Sequence, residues 1–77
     1  MNLTYVIREL YAREIDCTIQ TQWDAGVVVS IDDVTYAERQ ASKTFTIDKL
    51  DRAAAWLDTK ARELYPEAFA ADTALTA

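Results

Sequence analysis

Carboxylates are the groups in this chain whose number and grouping could do chemistry. Thirteen Asp and Glu stand against eight Lys and Arg in 77 residues, a formal net charge of −5. Asp32 and Asp33 are adjacent, and paired carboxylates serve both metal binding and the acid–base cleavage of glycosides. Neither use fits here. Nothing at calcium-loop spacing follows the pair, and a chain of this length has no room for the deep cleft that raises a carboxyl pKa. The other routes are closed by composition. No histidine is present, which removes Ser-His-Asp and Cys-His catalysis and the commonest zinc ligands. One cysteine cannot supply a metal cluster, and one glycine cannot build a phosphate-cradling loop. The sequence therefore predicts a protein that is not an enzyme, with no cofactor and no metal site.

The elements that must position those carboxylates are legible from hydrophobic period. The longest regular segment runs from Thr46 to Tyr65. There Leu50, Ala54, Leu57, Ala61 and Leu64 share a stripe at about 100° per residue, and Asp51, Arg52, Asp58, Thr59, Arg62 and Glu63 fall away from it. Thr46 has the chemistry of an N-cap, Phe45 and Leu50 have staple spacing, and Pro66 ends the helix. A first helix is predicted over roughly Leu3 to Glu14, capped by Asn2, with Leu3, Val6, Ile7, Leu10 and Tyr11 on one face and Tyr5 opposite.

Between the helices the period changes to two. Cys17, Ile19, Thr21 and Trp23 alternate with Thr18, Gln20 and Gln22, which describes a half-buried strand. Asp24-Ala25-Gly26 supplies a hairpin loop, and Val27–Ile31, β-branched and uncharged, suits the centre of a meander. A third strand lies within Tyr36–Phe45, in a register the pattern alone leaves open. If Phe45, Ala41 and Ala37 face the helices, Arg39 and Lys43 also point inward, a device that discourages pairing at an edge. The fold class predicted is α+β in the order α-β-β-β-α, a three-stranded antiparallel sheet with two helices packed on one face. Residues 1–67 form a single domain, and residues 68–77 a short C-terminal tail, partly helical or frayed.

That topology sorts the charges. The Asp24 turn lies at one end of the sheet and the Asp32–Asp33 turn at the other. Glu14, Asp16, Asp32, Asp33, Glu63 and Glu67 then collect at the second end, opposed mainly by Arg13 and Arg62. Two readings of this acidic pole stand side by side: a surface for a basic partner, or charge that is neutralised locally and screened by water. Glu14 and Asp16 sit at a helix C-terminus, where the dipole disfavours anions. Trp56, at the flank of its stripe, is either an edge of the core against Val6 or Trp23 or an interface anchor, and Tyr5 is a second anchor candidate.

The element order is also that of double-stranded RNA-binding domains, whose second helix opens with a basic cluster. Here it opens Ile47-Asp48-Lys49-Leu50-Asp51-Arg52, acids matching bases, so direct nucleic-acid binding is not expected. In size, acidity and element order the chain resembles the small phage-encoded inhibitors of the anti-CRISPR type. That resemblance implies a non-enzymatic protein-binding inhibitor that blocks a basic, nucleic-acid-binding or recruitment surface of a larger protein complex, and, for a phage gene, action in the host cytoplasm. The alternative is an antitoxin-like or regulatory small protein acting as a homodimer. No apolar run approaches the ~20 residues that span a bilayer, the first ten residues lack a basic leader, and the lone cysteine suits a reducing compartment, so a cytoplasmic protein without a membrane partner is expected.

Overall fold

Asn2 opens the first helix, α1 (Leu3–Ala12), its side-chain oxygen accepting the N–H groups of Thr4 at 2.8 Å and Tyr5 at 3.4 Å. These are two of the donors a helix start leaves unpaired. The computed structural model describes residues 2–70. After α1 come β1 (Cys17–Gln22), β2 (Gly26–Ile31), β3 (Ala41–Phe45) and α2 (Leu50–Leu64), with 3-10 turns at Ala37–Arg39 and Ile47–Lys49. Residues 66–70 add one more helical turn, begun by Pro66, whose missing N–H costs nothing at that position.

The sheet is antiparallel in the order β1-β2-β3, so β2 is central as expected. Val27 pairs with Phe45, Val29 with Lys43 and Ile31 with Ala41, which settles the register of the third strand. Phe45 and Ala41 do face the helices, and Lys43 shares their face with its ammonium 5.5 Å from the Phe45 ring centre. The core holds Val6, Leu10, Ile15, Val27, Val29, Ile31, Ala53, Ala54, Leu57, Ala61, Tyr65 and Phe69. In β2 only the odd positions Val27, Val29 and Ile31 are buried, so both helices lie on one face of the sheet. The other face carries Thr18, Gln20, Gln22, Val28, Ser30, Ser42 and Thr44.

Several boundaries differ from the sequence pattern, each for a local reason. The first helix stops at Ala12 rather than Glu14, because Glu14 takes a left-handed conformation (φ 60°). Its N–H donates to Tyr11 and that of Ile15 to Leu10, a closed helix end with Ile15 packed beside Leu10. Tyr11, expected on the buried face, is 84% exposed: it lies about 100° round the helix from Leu10, past the sheet. The second helix starts late. Thr46 makes no side-chain cap bond, residues 47–49 form a tighter turn, and Leu50 remains 39% exposed at the rim. The third strand is shorter than the span considered, since Ala37–Arg39 is a 3-10 turn. Trp23 ends outside β1, in the turn, because the hairpin closes on Gln22: Ala25 N–H donates to the Gln22 carbonyl at 3.1 Å, and Gly26 follows at φ 111°. A Cβ at Gly26 would run into the Phe45 carbonyl, so that glycine is required.

Ala68 and Phe69 pack against the core, which draws the start of the tail into the domain; the expectations for residues 71–77 lie outside the described residues. Leu57 is completely buried and is one of the largest side chains of the core. Leu57→Ala is expected to destabilise the protein by about 2–5 kcal/mol, checked by the denaturant midpoint at unchanged slope; a loss below about 1 kcal/mol would show that this side chain does not hold the layers together.

Candidate partner-binding surface

Contacts link Asp16 to Asp32 and join Asp33 and Glu67 through Tyr65 and Arg39, and most of the six carboxylates expected at the acidic pole are occupied. Asp16 and Asp32 face each other on the first rung of the sheet, with the Asp32 N–H on the Asp16 carbonyl at 3.0 Å. The Thr18 hydroxyl donates to the Asp32 carboxylate. Asp33 organises the β2–β3 connection: one carboxylate oxygen accepts the N–H groups of Thr35 at 2.8 Å and Tyr36 at 2.6 Å, and the other accepts the Tyr65 hydroxyl at 2.6 Å. Its carbonyl takes the Gln40 amide at 2.7 Å. Arg39 joins this group by an ion pair to Glu67 at 2.7 Å, its guanidinium 4.6 Å from the Tyr65 ring centre and 5.5 Å from that of Tyr36.

Arg39, which the sequence placed inside a strand, is thus a base paired within the pole. Arg13 and Arg62, expected to oppose the pole, pair with Glu9 at 2.6 Å and Asp58 at 3.2 Å. Both guanidinium groups also lie 4.5 Å from the Phe69 ring centre. Glu63 pairs with Lys60 at 3.1 Å. Of the six pole carboxylates, Asp33 is a structural bracket and Glu63 and Glu67 are ion-paired. Glu14 and Asp16 line an open depression together with Tyr11, Ala12 and Ile15.

The titrations follow the contacts. The Tyr65 hydroxyl, then the Tyr36 N–H, hold the Asp33 carboxyl below its ordinary range, and Glu67 is lowered by its own backbone N–H and by Arg39. Burial first and Asp33 second push the Tyr65 phenol up to about 12. Burial, then the charges of Asp32 and Asp16, push the Cys17 thiol up, so it stays protonated at neutral pH and is a poor nucleophile. Among the described residues there is no group of three potential metal ligands, and no helix is long and apolar enough to cross a membrane.

The two aromatic candidates part company. Tyr5 is 60% exposed, on the outer side of α1 as expected. Trp56 is half-buried and packs against the core, edge-on to Phe45 with ring centres 6.1 Å apart, at the core edge as one reading expected, though without Trp23, which is fully exposed. The indole that faces water is Trp23, 100% exposed at the tip of the β1–β2 hairpin. With Ile47 it borders an open depression lined also by Thr21, Gln22, Asp24, Ala25, Gly26 and Thr46. Period-two reasoning missed it by one residue. The available signal was the glycine, since a three-residue loop closed by Gly26 must begin at Trp23. The chain matches no protein-family model, no curated protein and no solved structure.

Two outcomes are expected from this geometry. A non-glycine residue in the left-handed region costs about 1 kcal/mol, so Glu14→Gly should raise stability by roughly that much in denaturant unfolding; an unchanged or lower midpoint would mean that the Glu14 side chain repays the strain within the fold. The second concerns pH. Lowered carboxyl pKa values give stability that is present above the ordinary carboxylate range and lost as pH falls through the lowered values. In Tyr65→Phe the Asp33 carboxyl, followed by NMR, should titrate at higher pH than in the parent, and the variant should be less stable at neutral pH with a smaller loss of stability on acidification. An unmoved Asp33 titration would remove Tyr65 as its main partner.

Proposed function

We propose that this chain is a non-enzymatic protein-binding module that occupies a basic surface of a larger partner. The observation that carries the reading is the Trp23 indole, held out at the tip of the β1–β2 hairpin beside Ile47, with Asp24 in the same turn and Asp48 next along from Ile47. Tryptophan is the side chain most enriched among residues that dominate binding energy, and such anchors work inside a polar rim. A net charge of −5 favours encounter with a basic surface and disfavours a phosphate backbone. The open part of the acidic pole, Glu14 and Asp16 with exposed Tyr11, offers a second charged contact at the opposite end of the sheet. A blocking inhibitor of the anti-CRISPR type, acting in a host cytoplasm, is the form of this function that fits the size and acidity of the chain.

The experiment immobilises the protein, captures binding partners from bacterial lysate, and measures association of the captured partner at two ionic strengths. Trp23→Ala is expected to weaken binding by ~2 kcal/mol or more, mainly through faster dissociation. Asp24→Lys combined with Asp48→Lys should slow association, and association of the parent should slow as salt rises. Neither change touches the core. The Asp32–Asp33 pair is unsuited to this test, since replacing Asp33 would break the bracket on Thr35, Tyr36 and Tyr65. Equal affinity for the parent and Trp23→Ala, with no salt dependence, would defeat the proposal, as would capture of nucleic acid alone.

A further inference from the structure

The outer edge of β1 is an unpaired strand without the usual defences. Asp16 and Asp32 sit opposite each other and share a backbone hydrogen bond, so the rungs that bond β1 to β2 are Asp16–Asp32, Thr18–Ser30, Gln20–Val28 and Gln22–Gly26. The alternate residues Cys17, Ile19 and Thr21 therefore direct their N–H and C=O groups away from β2, and among the described residues no backbone group meets them. The stretch Cys17–Gln22 contains no charge, proline or glycine, on a chain whose net charge is −5. The opposite edge differs: β3 carries Lys43 pointing to the helix face, the kind of inward charge that opposes strand addition. Ile19 completes the case. It faces the helix layer but remains only half-buried, because nothing beyond β1 covers its outer side.

We propose that two copies of this chain pair antiparallel through their β1 edges, making one continuous six-stranded sheet with Ile19 on the two-fold axis. Three constraints select this register. Only odd residues have free groups, so the hydrogen-bonded cross-chain pairs must join odd positions. With Ile19 opposite Ile19 of the second copy, and Cys17 opposite its Thr21, there are three such pairs, each exchanging two hydrogen bonds. A shift of one residue in each strand leaves only two such pairs within the strands, Ile19–Thr21 in one direction, which also sets Asp16 against Asp24, and Cys17–Ile19 in the other. In the chosen register Asp16 meets neutral Gln22, while Asp24 and Glu14 lie beyond the paired segment, in turns that leave the sheet. The two Ile19 side chains then cover each other on the helix face. The contact is isologous and closes at two copies, because it consumes the open edge of both. It stands apart from the basic-partner reading and holds whether or not that reading does.

Sedimentation of the parent over a wide concentration range should show a reversible monomer–dimer equilibrium. Thr21→Pro removes an outward N–H and leaves the β1–β2 rungs intact, so it should shift the dimer to monomer mass with an unchanged circular dichroism spectrum. Thr21→Cys supplies the crosslinking arm. A hydrogen-bonded pair has Cα atoms about 5.5 Å apart, within reach of a disulfide, whereas Cys17 and position 21 of one chain are about 13 Å apart along the strand. Mild oxidation should therefore close a covalent dimer in Thr21→Cys and not in Gln22→Cys, one residue along and on the opposite face. If Thr21→Pro fails to fold, the crosslinking pair decides alone. A parent that remains monomeric throughout, a Thr21→Pro protein that still dimerises, or a Gln22→Cys protein that crosslinks as fast as Thr21→Cys would each overturn the proposal.

Discussion

The close approach of α2 to α1 and to the sheet is the contact on which the rest of the structure depends. Ala53, Ala54 and Ala61 put almost no side chain between the helix backbone and its neighbours, and Leu57 shares one buried core with Val6, Leu10, Val27, Val29 and Ile31. Alanine costs no rotamer freedom on burial, an advantage where the stability margin is small. The cost is a thin core, since each methyl or methylene buried contributes only about 0.8 kcal/mol. The chain compensates at the C-terminal end of α2. Tyr65 and Phe69 close the layer there, and the guanidinium groups of Arg13 and Arg62, one from the end of α1 and one from α2, flank the Phe69 ring and tie the two helices together.

This closure explains where the charges go. The β2–β3 connection is nine residues long and has few apolar side chains to hold it, so it is fixed by polar contacts instead. Asp33 fastens the loop to itself and to Tyr65, and Arg39 fastens it to Glu67. A carboxylate with several hydrogen-bond donors is settled in its place, and its charge is partly answered already. The acidic pole thus divides into a structural half, Asp33 and Glu67, and an open half, Glu14 and Asp16. The left-handed Glu14 belongs to the open half, where it closes the end of α1 in a conformation that glycine adopts at lower cost.

How much of this was legible in the sequence depended on the range of the interactions involved. Element order, the central place of β2, the Asn2 cap and the shared face of both helices follow from period and turn chemistry, which are local. The register of β3 became definite only through its partner strand, which decided that Phe45 and Ala41 turn inward. Tyr11 and Leu50 depart from the helical pattern because a buried face is only as wide as the surface it meets, and neither the sheet edge nor the late start of α2 is visible in a window of residues. For the candidate site, the grouping of Asp16, Asp32, Asp33 and Glu67 was legible from topology. The roles were not: Tyr65 lies 32 residues from Asp33, and no pattern links them. Arg39 was hidden in the same way, by a 3-10 turn where a strand was expected. Trp23 was one residue from discovery, at the junction of a strand period and a loop count.

Acidity and exposed aromatics belong to the same constraint. A two-layer domain of this size has no interior cleft, so any binding energy must come from side chains already at the surface. Trp23, Tyr11 and Ile47 stand in turns or at helix ends, where exposing them leaves the core intact. Apolar groups left in water invite unspecific association, and net charge is the general remedy, because like-charged copies repel. The same carboxylates lie beside the exposed rings: Asp24 by Trp23, Glu14 and Asp16 by Tyr11. Charge of one sign around an apolar anchor excludes copies of the chain and acidic surfaces while admitting basic ones, which is selectivity obtained by repulsion. Only the β1 edge escapes this arrangement, being both open and neutral, and it is there that repulsion between copies is weakest.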